Sequence, residues 1–212
     1  MKRVFFALIV LILYSCADEK KERALHRRFD GYLTAINGMN IDSIQAYTYP
    51  KLFTILPLSQ SRESLEASFD FIKGRVELNS VKIDTIFPVF RTNKGSFAKA
   101  TYSMVIRVPL DTIENVKSKI SVETANKEYL IEEKYPAPQS TLLAALMRNK
   151  YGIEFINYQE KNGMRIMQIR FMAIAVKDEF AKDWSFFTVT NDQELISKLF
   201  SKKVLENLTS KD

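Results

Sequence analysis

The spacing of apolar residues changes period several times along the chain, and each change marks an element. Leu25, Phe29, Tyr32, Leu33 and Ile36 recur at helical spacing and predict a first helix over residues 19–37, stopped at Gly38. A short second helix carries Ile44 and Tyr47 with Asp42 as its cap. It must end near Tyr49, because Pro50 disfavours helix in the residue before it. Residues 51–56 read as a short strand bounded by Pro57. Ser61 then caps a third helix with Leu65, Phe69 and Ile72 on one face and Gly74 at its end.

From there the period falls to two. Val76, Leu78, Val81, Ile83 and Ile86 predict a long strand with an irregularity near Asn79-Ser80, and Thr92-Asn93-Lys94-Gly95 reads as a hairpin turn. In the return strand, residues 96–108, Ala98, Ala100, Tyr102, Met104, Ile106 and Val108 share one face, while Lys99, Thr101, Ser103 and Arg107 share the other. Such alternation implies one buried face and one wetter face. Beyond Pro109, residues 111–135 are charged and irregular, with an edge strand expected at 128–133. Ser140 caps a helix through Leu142, Leu143, Leu146 and Met147 that ends at Gly152. A second hairpin joins 153–158 to 164–176 around Lys161-Asn162-Gly163, and 184–189 is the last strand. Asp192 caps one terminal helix carrying Leu195, Leu199, Val204, Leu205 and Leu208. Helices followed by long antiparallel strands make an α+β fold.

Ahead of these elements lies a different pattern. Lys2 and Arg3 precede an uncharged apolar run over residues 4–13. That run is too short to cross a bilayer, which takes ~20 apolar residues. It leads into Leu13-Tyr14-Ser15-Cys16, and Cys16 is the only cysteine. A positive start, a short apolar core and a small residue before the break are the parts of a cleaved signal peptide. On these residues the N-terminus resembles the signals of bacterial lipoproteins, whose lipobox places Leu three residues before Cys and a small residue just before it. The resemblance implies cleavage between Ser15 and Cys16, diacylglyceryl transfer to the Cys16 thiol, and a bilayer partner held through two or more acyl chains. Ala17 stands where the enterobacterial sorting rule places an Asp for inner-membrane retention, which implies the outer membrane, facing the periplasm or the surface. The expected organisation is a signal peptide over 1–15, a lipidated charged tether over 16–24, and one domain over 25–212 with an insertion at about 111–158.

Composition narrows the chemistry. Cleavage removes Lys2 and Arg3 and no acid, lowering the formal charge of +6 by two. The remainder forms no basic stripe interleaved with aromatics, so no nucleic-acid partner is expected. The single histidine, His26, sits beside Arg27 and Arg28 near the tether and reads as an exposed helix residue. With Cys16 lipidated, neither a nucleophilic triad, a Cys-His pair nor a histidine-rich zinc site can be assembled. The isolated glycines form no phosphate loop. No metal and no cofactor are expected.

The element order, with the aromatic last strand Trp184-Ser185-Phe186-Phe187, resembles the NTF2-like superfamily over roughly residues 22–190. That resemblance implies a curved sheet wrapping helices into a cone with a pocket at its mouth. It also implies that any acid or base would be an Asp, a His or a Tyr. Asp30 and Asp70 fall off the core-facing stripes and read as solvated helix acids. Tyr32, Tyr47, Tyr49 and Tyr102 fall on or near apolar faces, where a tyrosine is most often core with its hydroxyl bonded. Trp184 reads as closing the core. Arg107 and Arg170, on strands that could be neighbours, are with Tyr102 the candidate ligand-binding residues. A strand arginine among apolar residues either grips a carboxylate or phosphate or lays its stem over a solvated sheet. The expected role is a non-enzymatic, membrane-anchored envelope protein that binds a small molecule or a protein. The alternatives are an NTF2-like lyase, isomerase or hydrolase using Asp or Tyr, and an assembly subunit of an envelope complex.

Overall fold

The computed structural model describes residues 22–74, 76–109 and 154–209. The expectations for Cys16 and its flanks, for the edge strand at 128–133 and for the helix at Ser140 lie outside the described residues. Helix α1 covers residues 22–37. Helix α2 is Ile41–Tyr47, followed by a 3-10 turn at Pro50–Thr54 and by α3 at Leu58–Ile72. The strands are β1 Glu77–Ile86, β2 Phe90–Thr92, β3 Gly95–Pro109, β4 Glu154–Lys161, β5 Met164–Asp178 and β6 Ser185–Thr188. Two short helices, α4 Gln193–Leu199 and α5 Lys202–Thr209, close the chain.

All six strands pair antiparallel in one sheet of order β1-β3-β5-β4, with β2 beside β3 and β6 beside β5. The two fifteen-residue strands, β3 and β5, are its spine, running in unbroken register from Gly95 opposite Asp178 to Pro109 opposite Met164. Both expected hairpin turns form. The second places Asn162 and Gly163 at positive φ, as a two-residue type I′ turn requires. The irregularity expected near Asn79-Ser80 is present as a register shift between Leu78 and Ser80, and a second shift falls between Ile83 and Thr85.

The α+β class stands, with a different distribution of core. On the first face of the sheet, α1 and α2 bury Leu25, Phe29, Tyr32, Leu33 and Ile44 against Ala98, Ala100, Tyr102, Ala173, Ala175 and Phe186. The alanines leave room for the rings of α1, and Trp184 closes this core at 4% exposure. The other face is not uniformly wetter. At its Gly95–Asp178 end, α4 and α5 cover Phe97, Ile174, Val176 and Phe187. Even Lys99 is buried there, its ammonium 4.2 Å over the Phe87 ring. The chain crosses between the two cores at the sheet edge, where Thr48 bridges Phe186 and the Tyr49 N–H donates to the Phe186 carbonyl at 2.9 Å. Tyr47 therefore joins the first core and Tyr49 the second.

Several local expectations are corrected. Asn40, not Asp42, caps α2, its side chain accepting from the Ser43 N–H. The left-handed residue after α1 is Met39 rather than Gly38, and the Asn40 N–H reaches back to the Ala35 carbonyl as in a Schellman motif. Residues 51–56 form no strand. Pro50 lacks the N–H that would continue the bridge at Thr48–Tyr49, and its fixed φ starts a 3-10 turn instead. Helix α3 begins a turn before Ser61, after Pro57. The single terminal helix is two helices. Phe200 is extended between them and buried against the second core.

Candidate functional site

Directly paired residues of an antiparallel sheet share a face. Arg107 stands opposite Ile166, and Arg170 opposite Ser103, so both arginines project from the second face beyond the part covered by α4 and α5. They lie four residue pairs apart, roughly 13 Å along the strands. Each is met by a residue that a β1 irregularity swings out of the ladder. Asp84, at the shift between Ile83 and Thr85, accepts from the Ser103 hydroxyl at 2.8 Å and from Arg170 Nε at 3.4 Å. Asn79, at the shift between Leu78 and Ser80, accepts with its amide oxygen from Arg107 Nε at 3.2 Å and Nη2 at 3.0 Å once that amide is oriented by its neighbours. The two guanidinium groups are therefore too far apart to clamp one small anion, and both tie edge strand β1 to the spine. The Arg170–Asp84 pair, with the arginine side chain 40% exposed, contributes at most about 1 kcal/mol.

Tyr102 does not join them. It points to the first face, 2% exposed, with its ring stacked on Phe171 at 5.2 Å and edge-on to Phe29 at 5.9 Å. Its hydroxyl meets that of Thr188 at 3.2 Å, and the Tyr32 hydroxyl meets the same Thr188 oxygen at 3.0 Å. Burial raises both phenols above their ordinary pKa, and for Tyr102 the neighbouring Tyr32 adds to the rise. The Thr188 bonds act weakly in the opposite direction. Phenols held this way are proton-bound hydrogen-bonding groups, not bases at neutral pH. Phe29, Tyr32, Phe171 and Phe186 fill the space between α1 and the sheet around them.

The other candidates separate cleanly. Asp30, Asp70 and His26 are exposed. Asp30 borders a half-open cleft of about 160 Å³ between α1 and β1, lined also by Thr34, Asn37, Val81, Lys82 and Ile83. Tyr47 packs its ring 4.6 Å under the Arg28 guanidinium, whose Nε donates to the Trp184 carbonyl at 3.1 Å. Among the described residues no three His, Cys, Asp or Glu side chains gather as a metal site would require.

One polar constellation had no sequence signal. The Tyr49 hydroxyl donates to Asp178 Oδ2 at 2.5 Å, while Asp178 Oδ1 accepts from the N–H groups of Phe180 and Ala181. The partners are 129 residues apart, so only the fold brings them together. Burial pushes the Tyr49 phenol far up, and the Asp178 carboxylate, then Glu179, push it further. This arrangement clasps the loop after β5 onto the start of the 3-10 turn. No family model matches the sequence, and no curated protein and no solved structure matches it.

Proposed function

We propose that this protein is a bacterial envelope lipoprotein, anchored to the outer membrane through acylated Cys16, whose α+β domain binds a partner rather than transforming a substrate. The observation that carries the reading is the sequence Leu13-Tyr14-Ser15-Cys16 after a ten-residue apolar run, with the charged stretch from Asp18 to Arg23 directly behind it. No core could take up a cysteine in that setting, whereas a lipid-modified one belongs there. Among the described residues no helix is long and apolar enough to cross a membrane. The domain is of NTF2-like type in this proposal, supported by three helices leading into a long-stranded antiparallel sheet whose first face they cover. A binding role is favoured over catalysis because aromatic side chains occupy the space that a pocket enzyme of this kind keeps open. The helix carboxylates Asp30 and Asp70 are exposed.

The test is metabolic labelling of the full chain with a clickable fatty acid in a bacterial host, followed by membrane fractionation. The label should reside on the N-terminal cysteine of a chain cleaved after Ser15. Cys16→Ser should abolish the label and leave residues 1–15 attached. Unlabelled wild-type protein recovered from the soluble periplasm would overturn the proposal.

A further inference from the structure

We infer that the end of the domain from which the tether departs rests against the bilayer through an apolar patch formed by Ile55, Leu58 and Phe180. The inference rests on the lipid anchor proposed above and assigns that anchored domain an orientation.

Four large apolar side chains stand exposed among the described residues: Ile55 at 38%, Leu58 at 50%, Met172 at 38% and Phe180 at 44%. Ile55 and Leu58 stand on the segment that follows Lys51, and Phe180 meets Lys51 itself. The run over residues 52–58 is almost wholly apolar, yet none of its members is buried. Lys51 links it to Phe180, with the ammonium 5.7 Å from the ring centroid and also donating to the Leu199 carbonyl at 2.8 Å. Tyr49, immediately before the 3-10 turn, meets the Phe180 ring edge-on at 6.5 Å. Apolar side chains gathered into an exposed patch mark an interaction site.

Position decides the occupant. Phe180 lies in the loop between Asp178 and Trp184, and the Trp184 carbonyl takes the Arg28 bond. Helix α1 sets Tyr32 beside Thr188 and Arg28 beside Trp184, so its start points toward the Gly95–Asp178 end of the sheet. Cys16 is six residues before Glu22, at most about 20 Å of fully extended chain. A lipid on Cys16 therefore keeps this end of the domain at the headgroups, where apolar side chains partition into the interface. The three lysines around the loop, Lys51, Lys177 and Lys182, are balanced by Asp178, Glu179 and Asp183, so the contact is apolar and insensitive to salt.

The experiment uses the full lipidated chain in vesicles of phosphatidylethanolamine and phosphatidylglycerol. With Cys16 acylated, one added cysteine is the only free thiol, so an environment-sensitive fluorophore can be placed at Ile55→Cys, Phe180→Cys or the equally exposed sheet position Met172→Cys. Emission at 55 and at 180 should shift to the blue and be quenched by spin-labelled lipid several-fold more than at 172, equally in low and high salt. Protein that floats with the vesicles while all three positions escape quenching overturns the patch and leaves the anchor standing. Protein that does not float removes the anchor and the inference together. Positions 55 and 180 untouched by lipid in vesicles, yet shielded from a water-soluble maleimide in whole cells, would assign the patch to a protein partner and also overturn the bilayer contact.

Discussion

At the residue scale, the least expected constraint falls on a glycine in the middle of a helix. Gly31 lies on α1, where alanine would ordinarily be worth about 1 kcal/mol more. A β-carbon there would sit only 2.7 Å from Tyr47 Cζ and would overlap the hydroxyl. Tyr47 cannot yield easily, because its ring is held by Arg28 on one side and by Tyr32 at 6.4 Å on the other. Gly31→Ala should therefore lower stability, by about 1–3 kcal/mol as for other overpacked cores. The same change in a Tyr47→Leu background should be neutral or favourable, and urea unfolding of the four chains tests the coupling. Equal costs in both backgrounds would show that Tyr47 is not the obstacle. Other residues could be read from the chain alone. Trp184 closes the core, His26 is exposed, and Asp30 and Asp70 are solvated, because their place on or off an apolar stripe decides their burial. Gly31 and the Tyr49–Asp178 bond could not be read, since each depends on a partner supplied by the fold.

Elements show where local signals suffice. Asp192 was recognisable as a cap, and its side chain accepts from the Leu195 N–H at 2.9 Å. Helix α4 has seven residues, too few to form without a fixed end and a core to lie on. Asp192→Ala should cost about 1 kcal/mol. It should also loosen α5 behind it, visible as faster amide exchange at Val204 and Leu205. Unchanged exchange there would mean that burial of Phe200 and Leu208 alone holds both helices. Where several capping residues competed, local reading failed. Asn40 and Asp42 both qualify by type, and the Schellman turn at Met39 places Asn40 at the helix start. The irregularity in β1 was visible as a break in alternation near Asn79-Ser80, but its use was not. Each register shift turns a polar side chain, Asn79 or Asp84, toward an arginine of the neighbouring strands. Shifts of this kind also roughen an edge strand that would otherwise invite pairing with another chain.

At the scale of the molecule, both faces of one sheet carry buried core, and the buried phenols set a limit on the alkaline side. Tyr32, Tyr49 and Tyr102 all have pKa values raised above the ordinary one, first of all by burial. Above about pH 10 the unfolded chain releases these protons while the folded chain keeps them, so the unfolded state binds fewer protons and stability falls as pH rises. Below that point their contribution is complete. The phenolate absorbance of these three tyrosines should therefore appear only together with loss of the circular dichroism of the fold. Titration of Tyr32, Tyr49 and Tyr102 with the fold intact would contradict this.

What the sequence determined by itself was everything carried by periodicity or by a contiguous motif. That covers the helical stripe of α1, the alternation of β3, both hairpin turns and the α+β order. These depend on neighbours along the chain, and neighbours along the chain are what a sequence displays. Only the tertiary structure decided which surfaces meet. It buried the Lys99 side of β3 under α4 and α5, turned Tyr102 away from Arg107 and Arg170, and joined Tyr49 to Asp178. Each of those outcomes follows from the order in which strands pair and from the edge at which the chain crosses the sheet. Those are free-energy differences summed over the whole core, and no local pattern encodes them.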